Sequence, residues 1–116
     1  MSGANFQHLR RQDYELHAQT VSSTYTVRTG TPAYNGLFDN PVIVSDPAAA
    51  ITLTIPDGDY VGQELMIVFE SNGSSQTLTV TTTTGTDYSS STAGQWTLIR
   101  WTGATSGWLK VAGTFT

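Results

Sequence analysis

The chain has 116 residues, enough for one domain, and a formal net charge of −4. It has no cysteine, so it has no disulfide framework and no thiolate metal site. Its five lysine and arginine residues are too few to neutralise a phosphate backbone, so the composition argues against nucleic-acid binding. No apolar run reaches the roughly 18 residues that a membrane span needs, and the first residues contain no apolar signal-peptide core.

Residues 1–20 differ in composition from the rest of the chain. They contain both histidines and two of the five basic residues, and they have few β-branched side chains. This composition predicts an N-terminal arm, extended or helical, that becomes ordered when it docks on a partner or a neighbouring subunit. An extended arm of this length would reach about 65 Å at ~3.3 Å per residue. The expected contact residues of the arm are Phe6, Leu9, Arg10, Arg11 and Tyr14.

Residues 21–116 show the pattern of a β domain. Apolar side chains alternate with threonines or other residues at a period of two, which places each set on one face of a strand. The clearest runs are 51–55 and 65–69, and the segment Pro56–Asp59 between them has the residues of a turn. The predicted strands are 20–28, 42–44, 51–55, 65–69, 77–83, 95–101 and 108–111.

Turn signals between these runs predict how the strands connect. Asn72-Gly73 lies between two apolar runs and predicts a hairpin that pairs 65–69 with 77–83. The segment 102–107 predicts a second hairpin between the last two strands. With strands at intervals of about 8 to 15 residues, the fold class is all-β. We expect a small antiparallel β-sandwich or barrel, jelly-roll-like, with an N-terminal extended arm.

The last two strands contain all three tryptophans. Trp96 and Leu98 share one face of the strand 95–101, whereas Ile99 and Trp101 share the other, so both faces are expected to be covered. One face forms the core, and the other meets a second sheet, a subunit or a sugar. We favour a core plus an oligomer interface, with Trp96, Arg100, Trp101 and Trp108 as its candidate residues. The alternative is stacking of a sugar ring on Tyr60, Tyr88 or Trp101.

Charged residues make up only 12% of the chain, and threonine occupies twenty positions. A hydroxyl-rich surface stays hydrated without charge and is buried against a partner without the desolvation cost of ions. Arg100 and Lys110 are expected to form ion pairs with Glu64 or Glu70, across strands or between subunits.

Catalytic and metal-binding patterns are weak. Asp57, Asp59 and Glu64 are close enough in sequence for an oxygen-ligand calcium site, but turn chemistry explains both aspartates. His8 and His17 lack the further ligands of a zinc site. The β region has no histidine to act as a base for a serine nucleophile, and no G-x-S-x-G motif is present. We therefore predict a non-enzymatic protein without a metal or cofactor.

Three runs of the sequence resemble β domains of tailed-bacteriophage virion proteins. They are IxLxIPDGxxxGQxLxIxFxxxG at 51–73, SQTLTVTT at 75–82, and AGQWTLIRWTG followed by GWLKVAGT within 93–114, and together they cover about half of the chain. Capsid decoration (cement) proteins, head fibres and tail-fibre modules share this style. The resemblance implies a homotrimer on the outer capsid surface, with the arm or the base of the domain on the major capsid protein.

A short chain with an arm and one β domain favours a decoration protein over a fibre, which would carry a longer shaft. The function that the resemblance implies is decoration of the capsid, stabilising the head by binding several capsid subunits. The alternative is a carbohydrate-binding receptor-recognition module of a tail fibre or spike. A third interpretation is a neck or tail connector that forms a ring of another symmetry.

Overall fold

The computed structural model describes residues 17–30 and 36–116, which form two β-sheets around one apolar core. The all-β sandwich predicted from the sequence is confirmed. Within these two ranges, no helix is long and apolar enough to cross a membrane. The strands are β1 (Gln19–Val21), β2 (Tyr25–Thr26), β3 (Val42–Ser45), β4 (Ile51–Ile55), β5 (Glu64–Ser71), β6 (Leu78–Thr82), β7 (Tyr88–Ser90), β8 (Trp96–Trp101) and β9 (Trp108–Gly113).

The first six strands enter the two sheets in alternation. One sheet, called sheet A, has the order β1-β3-β5-β8-β9, and the other, sheet B, has the order β2-β4-β6-β7. Because the chain visits the opposite sheet before it returns, neighbours among these six strands run parallel. The last three strands are added antiparallel. The sheets are therefore mixed, and the predicted antiparallel arrangement is wrong for strands β1 to β6.

The hairpin predicted at Asn72-Gly73 is also wrong, because β5 and β6 lie in different sheets. Residues 72–77 instead form a crossover. The Asn72 side chain holds this loop by donating to the Gln76 carbonyl at 2.9 Å and accepting from the Gln76 amide at 2.7 Å. The amide of Gly73 donates to the Asp46 carboxylate at 2.6 Å, which ties the loop to the neighbouring β3–β4 connection.

Four further predictions can be compared with the observed strands. The predicted strand 20–28 is two strands, β1 and β2, one in each sheet. Residues 19–20, assigned to the arm, pair with β3 inside sheet A. Strand β7 is absent from the predicted strands, since its sequence Tyr-Ser-Ser has no apolar alternation. The second hairpin, between β8 and β9, is confirmed.

The core is built from the inward side chains of both sheets. The runs 51–55 and 65–69 bury alternate residues as predicted, on opposite sides of the sandwich. Each such aliphatic side chain contributes about 1.5–3 kcal/mol relative to leaving it exposed. The largest fully buried side chains are Trp108, Phe69, Phe115, Ile51, Leu53, Ile55, Ile67, Leu78 and Ile99.

Backbone hydrogen bonds between β9 of sheet A and the β6–β7 connection of sheet B close one side of the sandwich. The Trp108 amide donates to the Thr84 carbonyl at 3.0 Å, and the Trp108 carbonyl accepts from the Thr86 amide at 3.2 Å. Gly85, between them, has φ +129, and a Cβ there would lie 2.5 Å from the backbone of Trp108, so this approach requires glycine. The Trp108 indole is fully buried and donates to the Pro56 carbonyl at 2.8 Å.

The C-terminal residues extend this closure. Thr116 and Ser89 exchange backbone hydrogen bonds of 2.8 and 3.0 Å, which covers the outer edge of β7. Phe115, next to Thr116, is fully buried in the core. The Lys110 amide donates to the Tyr88 hydroxyl at 2.9 Å, so β9 is bonded to β7 across the gap between the sheets.

A buried carboxylate organises the segment between β2 and β3. The side chain of Asp39 has no exposed surface. It accepts hydrogen bonds from the Tyr25 hydroxyl at 2.7 Å, the Arg28 amide at 2.8 Å and the Arg28 guanidinium at 2.8 and 3.0 Å. Burial and the hydrogen bond to Asp39 raise the pKa of Tyr25 to about 12. The hydrogen bond to Asp39 also raises the pKa of Arg28 above its ordinary value.

Replacement of Asp39 by alanine should destabilise the domain. The Tyr25 hydroxyl and the Arg28 amide would lose their acceptor, at a cost of about 2–3 kcal/mol in the free energy of unfolding. Urea denaturation followed by tryptophan fluorescence measures this change. The Asp39→Asn variant keeps the shape and one acceptor oxygen, so it should lose less. Equal stability of wild type and Asp39→Ala would contradict this account of the network.

Replacement of Thr97 by valine should stabilise the domain. Thr97 is fully buried on the inner face of β8, and its hydroxyl has no hydrogen-bond partner among the described residues. Valine has nearly the same shape without the hydroxyl, so we expect a gain of about 1 kcal/mol. Thermal unfolding of the two proteins provides the measurement, and a lower melting temperature for Thr97→Val would show that the hydroxyl is satisfied.

Candidate interaction surfaces

Of the carboxylates singled out in the sequence, Asp57 and Asp59 belong to the crossover between β4 and β5, and Glu64 is the first residue of β5. The Thr29 hydroxyl donates to the Asp57 carbonyl at 2.9 Å, and the Asp59 amide donates to the Gln63 side-chain oxygen at 2.7 Å. In residues 17–30 and 36–116, no group of three or more histidine, aspartate or glutamate side chains could hold a metal ion. The candidate binding surfaces of this fold are the outer surfaces described below.

Sheet A has an apolar outer surface, which we call the apolar face. Along β3, β5 and β8 its residues alternate with buried core residues, so they point away from the core. Trp96 and Leu109 are 36% and 38% exposed, and the other members are half-buried. The apolar face consists of Ile43, Met66, Val68, Trp96, Leu98 and Leu109.

Strand register sets this surface in three rows that cross the sheet. Residues paired across neighbouring strands lie on the same side, where their side chains contact one another. The first row holds Ile43, Val68 and Trp96, the second Met66 and Leu98, and the third Glu64, Arg100 and Leu109. Apart from Thr20, which pairs with Ile43 at the β1 edge of the sheet, these members of the first two rows are apolar, whereas the third row carries charge.

An ion pair marks the charged end of the apolar face. The Arg100 guanidinium donates to the Glu64 carboxylate at 2.7 Å, which confirms one of the predicted ion pairs. The side chains of Glu64 and Arg100 are 41% and 48% exposed, so the pair is open to solvent and to a partner. Lys110 behaves differently from the prediction, since its ammonium donates to the Phe115 carbonyl at 2.9 Å and lies over the Tyr88 ring.

The outer surface of sheet B has a contrasting composition, and we call it the threonine face. Its two central strands alternate buried aliphatic residues with half-buried threonines. Thr52 is paired with Thr79, and Thr54 with Thr81, so the hydroxyls form in-register rows. Neither strand carries a charged residue. A face of this kind is hydrated by its own hydroxyls, as expected for the solvent side of a sheet.

The loops at one end of the sandwich form a third surface. A cavity of about 260 Å³ opens there between the β4–β5 crossover and the residues around Gly30 and Phe38. Asp59, Glu64 and Tyr60 line it, and Tyr60 is 62% exposed. The cavity combines an accessible aromatic ring with two carboxylates, which is a chemistry suited to a small polyhydroxyl molecule.

The structure divides the four predicted interface residues into two groups. Trp101 and Trp108 are 5% and 0% exposed, with ring centroids 5.6 Å apart, so both belong to the core of the domain. Trp101 is also covered by Gly58, where a Cβ would collide with the indole. Trp96 and Arg100 lie on the outer surface and stay candidates for an interface.

The same burial changes the list of candidate sugar-stacking residues. Trp101 is not accessible to a ligand, whereas Tyr60 is exposed and Tyr88 is half-buried against Lys110. The predicted arm contacts Phe6, Leu9, Arg10, Arg11 and Tyr14, together with His8, lie outside the described residues. His17 lies inside them, and its ring stacks on Phe38 at 3.7 Å.

Sequence reasoning missed four of the six residues of the apolar face, namely Ile43, Met66, Val68 and Leu109. Ile43, Met66 and Val68 occupy the polar parity of short strands, and each alone is an ordinary half-buried residue. The available signal was the contrast between strands: 51–55 and 78–81 put threonine at every outward position, whereas 65–69 puts methionine and valine there. Only the observed strand order brings these residues beside Trp96 and Leu98.

The sequence matches no protein-family model and no curated protein. The resemblance to phage β domains is therefore carried by the patterns at 51–73, 75–82 and 93–114 alone. What these surfaces do is inferred from their geometry and chemistry.

Proposed function

We propose that this chain is a non-enzymatic structural protein of a tailed-bacteriophage virion. In this proposal it decorates the outer surface of the capsid as a homotrimer, binds the lattice of the major capsid protein and stabilises the head. The observation that carries the proposal is the apolar face, an outward surface of one sheet built to be covered by protein.

The closed sandwich supports a mechanical role. Backbone hydrogen bonds from Trp108 to the β6–β7 connection and from Thr116 to β7 tie the two layers together, so the layers resist sliding past one another. A binding protein that bridges capsid subunits transmits the outward pressure of packaged DNA through its own fold, so a cross-linked fold suits that load. Each contact with a capsid subunit would bury roughly 800 Å² per partner, as in stable protein interfaces.

Removal of residues 1–16 should abolish capsid binding. Strand β1 begins at Gln19, so the deletion leaves every described strand in place. The proposed arm contacts are lost with the deleted residues, and we expect no co-sedimentation with purified capsids that lack this protein. Circular dichroism should show an unchanged β spectrum.

The matched control is the double variant Arg10→Ala, Arg11→Ala in the full chain, which tests the basic contacts alone and should weaken binding less than the deletion does. Full capsid binding by the deletion variant would exclude the arm as the anchor and would place the capsid contact on the β domain.

A second candidate function is a carbohydrate-binding module of a tail fibre or spike. The observation that favours it is the loop cavity, where Tyr60 presents most of its ring beside Asp59 and Glu64. Sugar rings stack on exposed aromatic faces, and carboxylates accept hydrogen bonds from sugar hydroxyls.

If the second function holds, Tyr60→Ala should weaken binding of a bacterial surface polysaccharide about five- to tenfold, the range expected for one aromatic contact. Isothermal titration calorimetry provides the measurement. Val61→Ala is the matched control, since Val61 is the next residue of the same loop and is 72% exposed. Absence of binding by the wild-type protein across a glycan array would exclude this function.

A further inference from the structure

We infer that the apolar face is the surface through which copies of this chain associate. Three copies turn this face toward a common axis that runs along the strands, and the threonine face of each points outward. The inference deepens the proposed function, on which the number of copies rests, by naming the surface and the residues that hold the trimer together.

The first argument is the contrast between the two outer surfaces of one sandwich. Both are made of strands with the same alternation, and no strand among the described residues covers either of them. Sheet B has threonines at the outward positions of β4 and β6, whereas sheet A has Met66, Val68 and Leu98 at the corresponding places. A solvated sheet normally shows polar residues outside, so sheet A has the composition of a buried surface.

The second argument concerns the charges on this surface. The chain has a net charge of −4, which makes copies repel one another in general. The third row of the apolar face, however, holds one carboxylate and one guanidinium side by side, Glu64 and Arg100. Such a row is complementary to itself, since the Arg100 of one copy faces the Glu64 of the next when equal rows meet.

The third argument is size. Four strands, β3, β5, β8 and β9, carry the apolar face, and at ~4.8 Å per strand they span about 19 Å. Three faces of this width, arranged as the sides of a triangular prism, each lie about 5–6 Å from the axis. That distance is close to half of the ~10 Å between packed sheets, so side chains of ordinary size fill the space around the axis.

The same arrangement places the remaining charge in water. Glu70 lies two residues beyond Val68 on β5 and is exposed, so it sits at the mouth of the prism rather than between the packed rows. Trp96, in the last apolar row before that mouth, would pack against its counterparts and lose most of its present exposure.

The test uses Val68→Lys in the full chain, with Thr79→Lys as the matched control. Both positions are half-buried and outward on a central strand, but one is on the apolar face and the other on the threonine face. Sedimentation equilibrium at micromolar concentration should give three times the 12.5 kDa of one chain for the wild type and for Thr79→Lys. It should give a single chain for Val68→Lys, because an ammonium cannot be buried without a partner.

Leu109→Lys, at an exposed position, guards against misfolding of the first variant and should also give a single chain. Tryptophan fluorescence adds an independent readout: dilution of the wild type should shift emission to the red through Trp96, and Trp96→Phe should remove that shift.

Several outcomes would overturn the inference. A trimeric mass for folded Val68→Lys or Leu109→Lys excludes the apolar face, and loss of the trimer in Thr79→Lys points to the threonine face. A wild-type dimer excludes the threefold axis. A monomeric wild type that binds an apolar dye only after removal of residues 1–16 shows that those residues cover the face. Failure of capsid binding with the trimer intact would refute the proposed function and leave this inference standing.

Discussion

The first six strands of this chain alternate between the two layers around the core, and the rest of the structure depends on that constraint. Strand β4 of sheet B and strand β5 of sheet A both bury alternate residues in the one core, and β6 then returns to sheet B. Each connection among these six strands is therefore a crossover between layers instead of a hairpin. Parallel pairing among them is the geometric result, since each of β3 to β6 returns beside the strand two elements earlier.

This winding also explains why the two outer surfaces can differ so completely. Odd-numbered strands among the first six supply sheet A, and even-numbered strands supply sheet B. A run such as Ile51–Ile55 can thus devote its outward positions to threonine while Glu64–Ser71 devotes its own to methionine and valine. Sheet B therefore presents a threonine-rich outer surface and sheet A an apolar one, and each surface is built from its own set of strands.

The sequence alone predicts the fold class, most strand positions and the inward residues, because a period of two is a local property. Apart from the β8–β9 hairpin, it does not predict strand direction or partners. The pattern at 65–83 is the same for a hairpin and for a crossover, and the Asn72-Gly73 signal favoured the hairpin. What decided otherwise is a set of distant contacts, such as Gly73 with Asp46, that no local pattern shows.

The candidate surface follows the same logic. Parity alone places Trp96 and Leu98 on one face of the strand and Ile99 and Trp101 on the other, but both faces are apolar, so it does not say which face is the core. The burial of Trp101 under Gly58 depends on where the crossover lies. Only the order of strands in sheet A places Ile43, Met66 and Val68 beside Trp96 and Leu98 on this surface. The arm contacts proposed from the sequence lie outside the described residues and stay predictions.

The closure of the sandwich at Trp108 and Thr116 has a consequence for how large an assembly can grow. A free strand edge is a template on which another chain can add, and repeated addition produces fibres. On this side of the fold the backbone groups of Trp108, Lys110 and Ser89 are already bonded within the chain. At the opposite ends of the sheets, β1 and β2 are only three and two residues long. Edges that are short or already bonded disfavour the addition of a further strand. An association through a face of the sandwich then ends at a fixed number of copies instead of growing into a fibre.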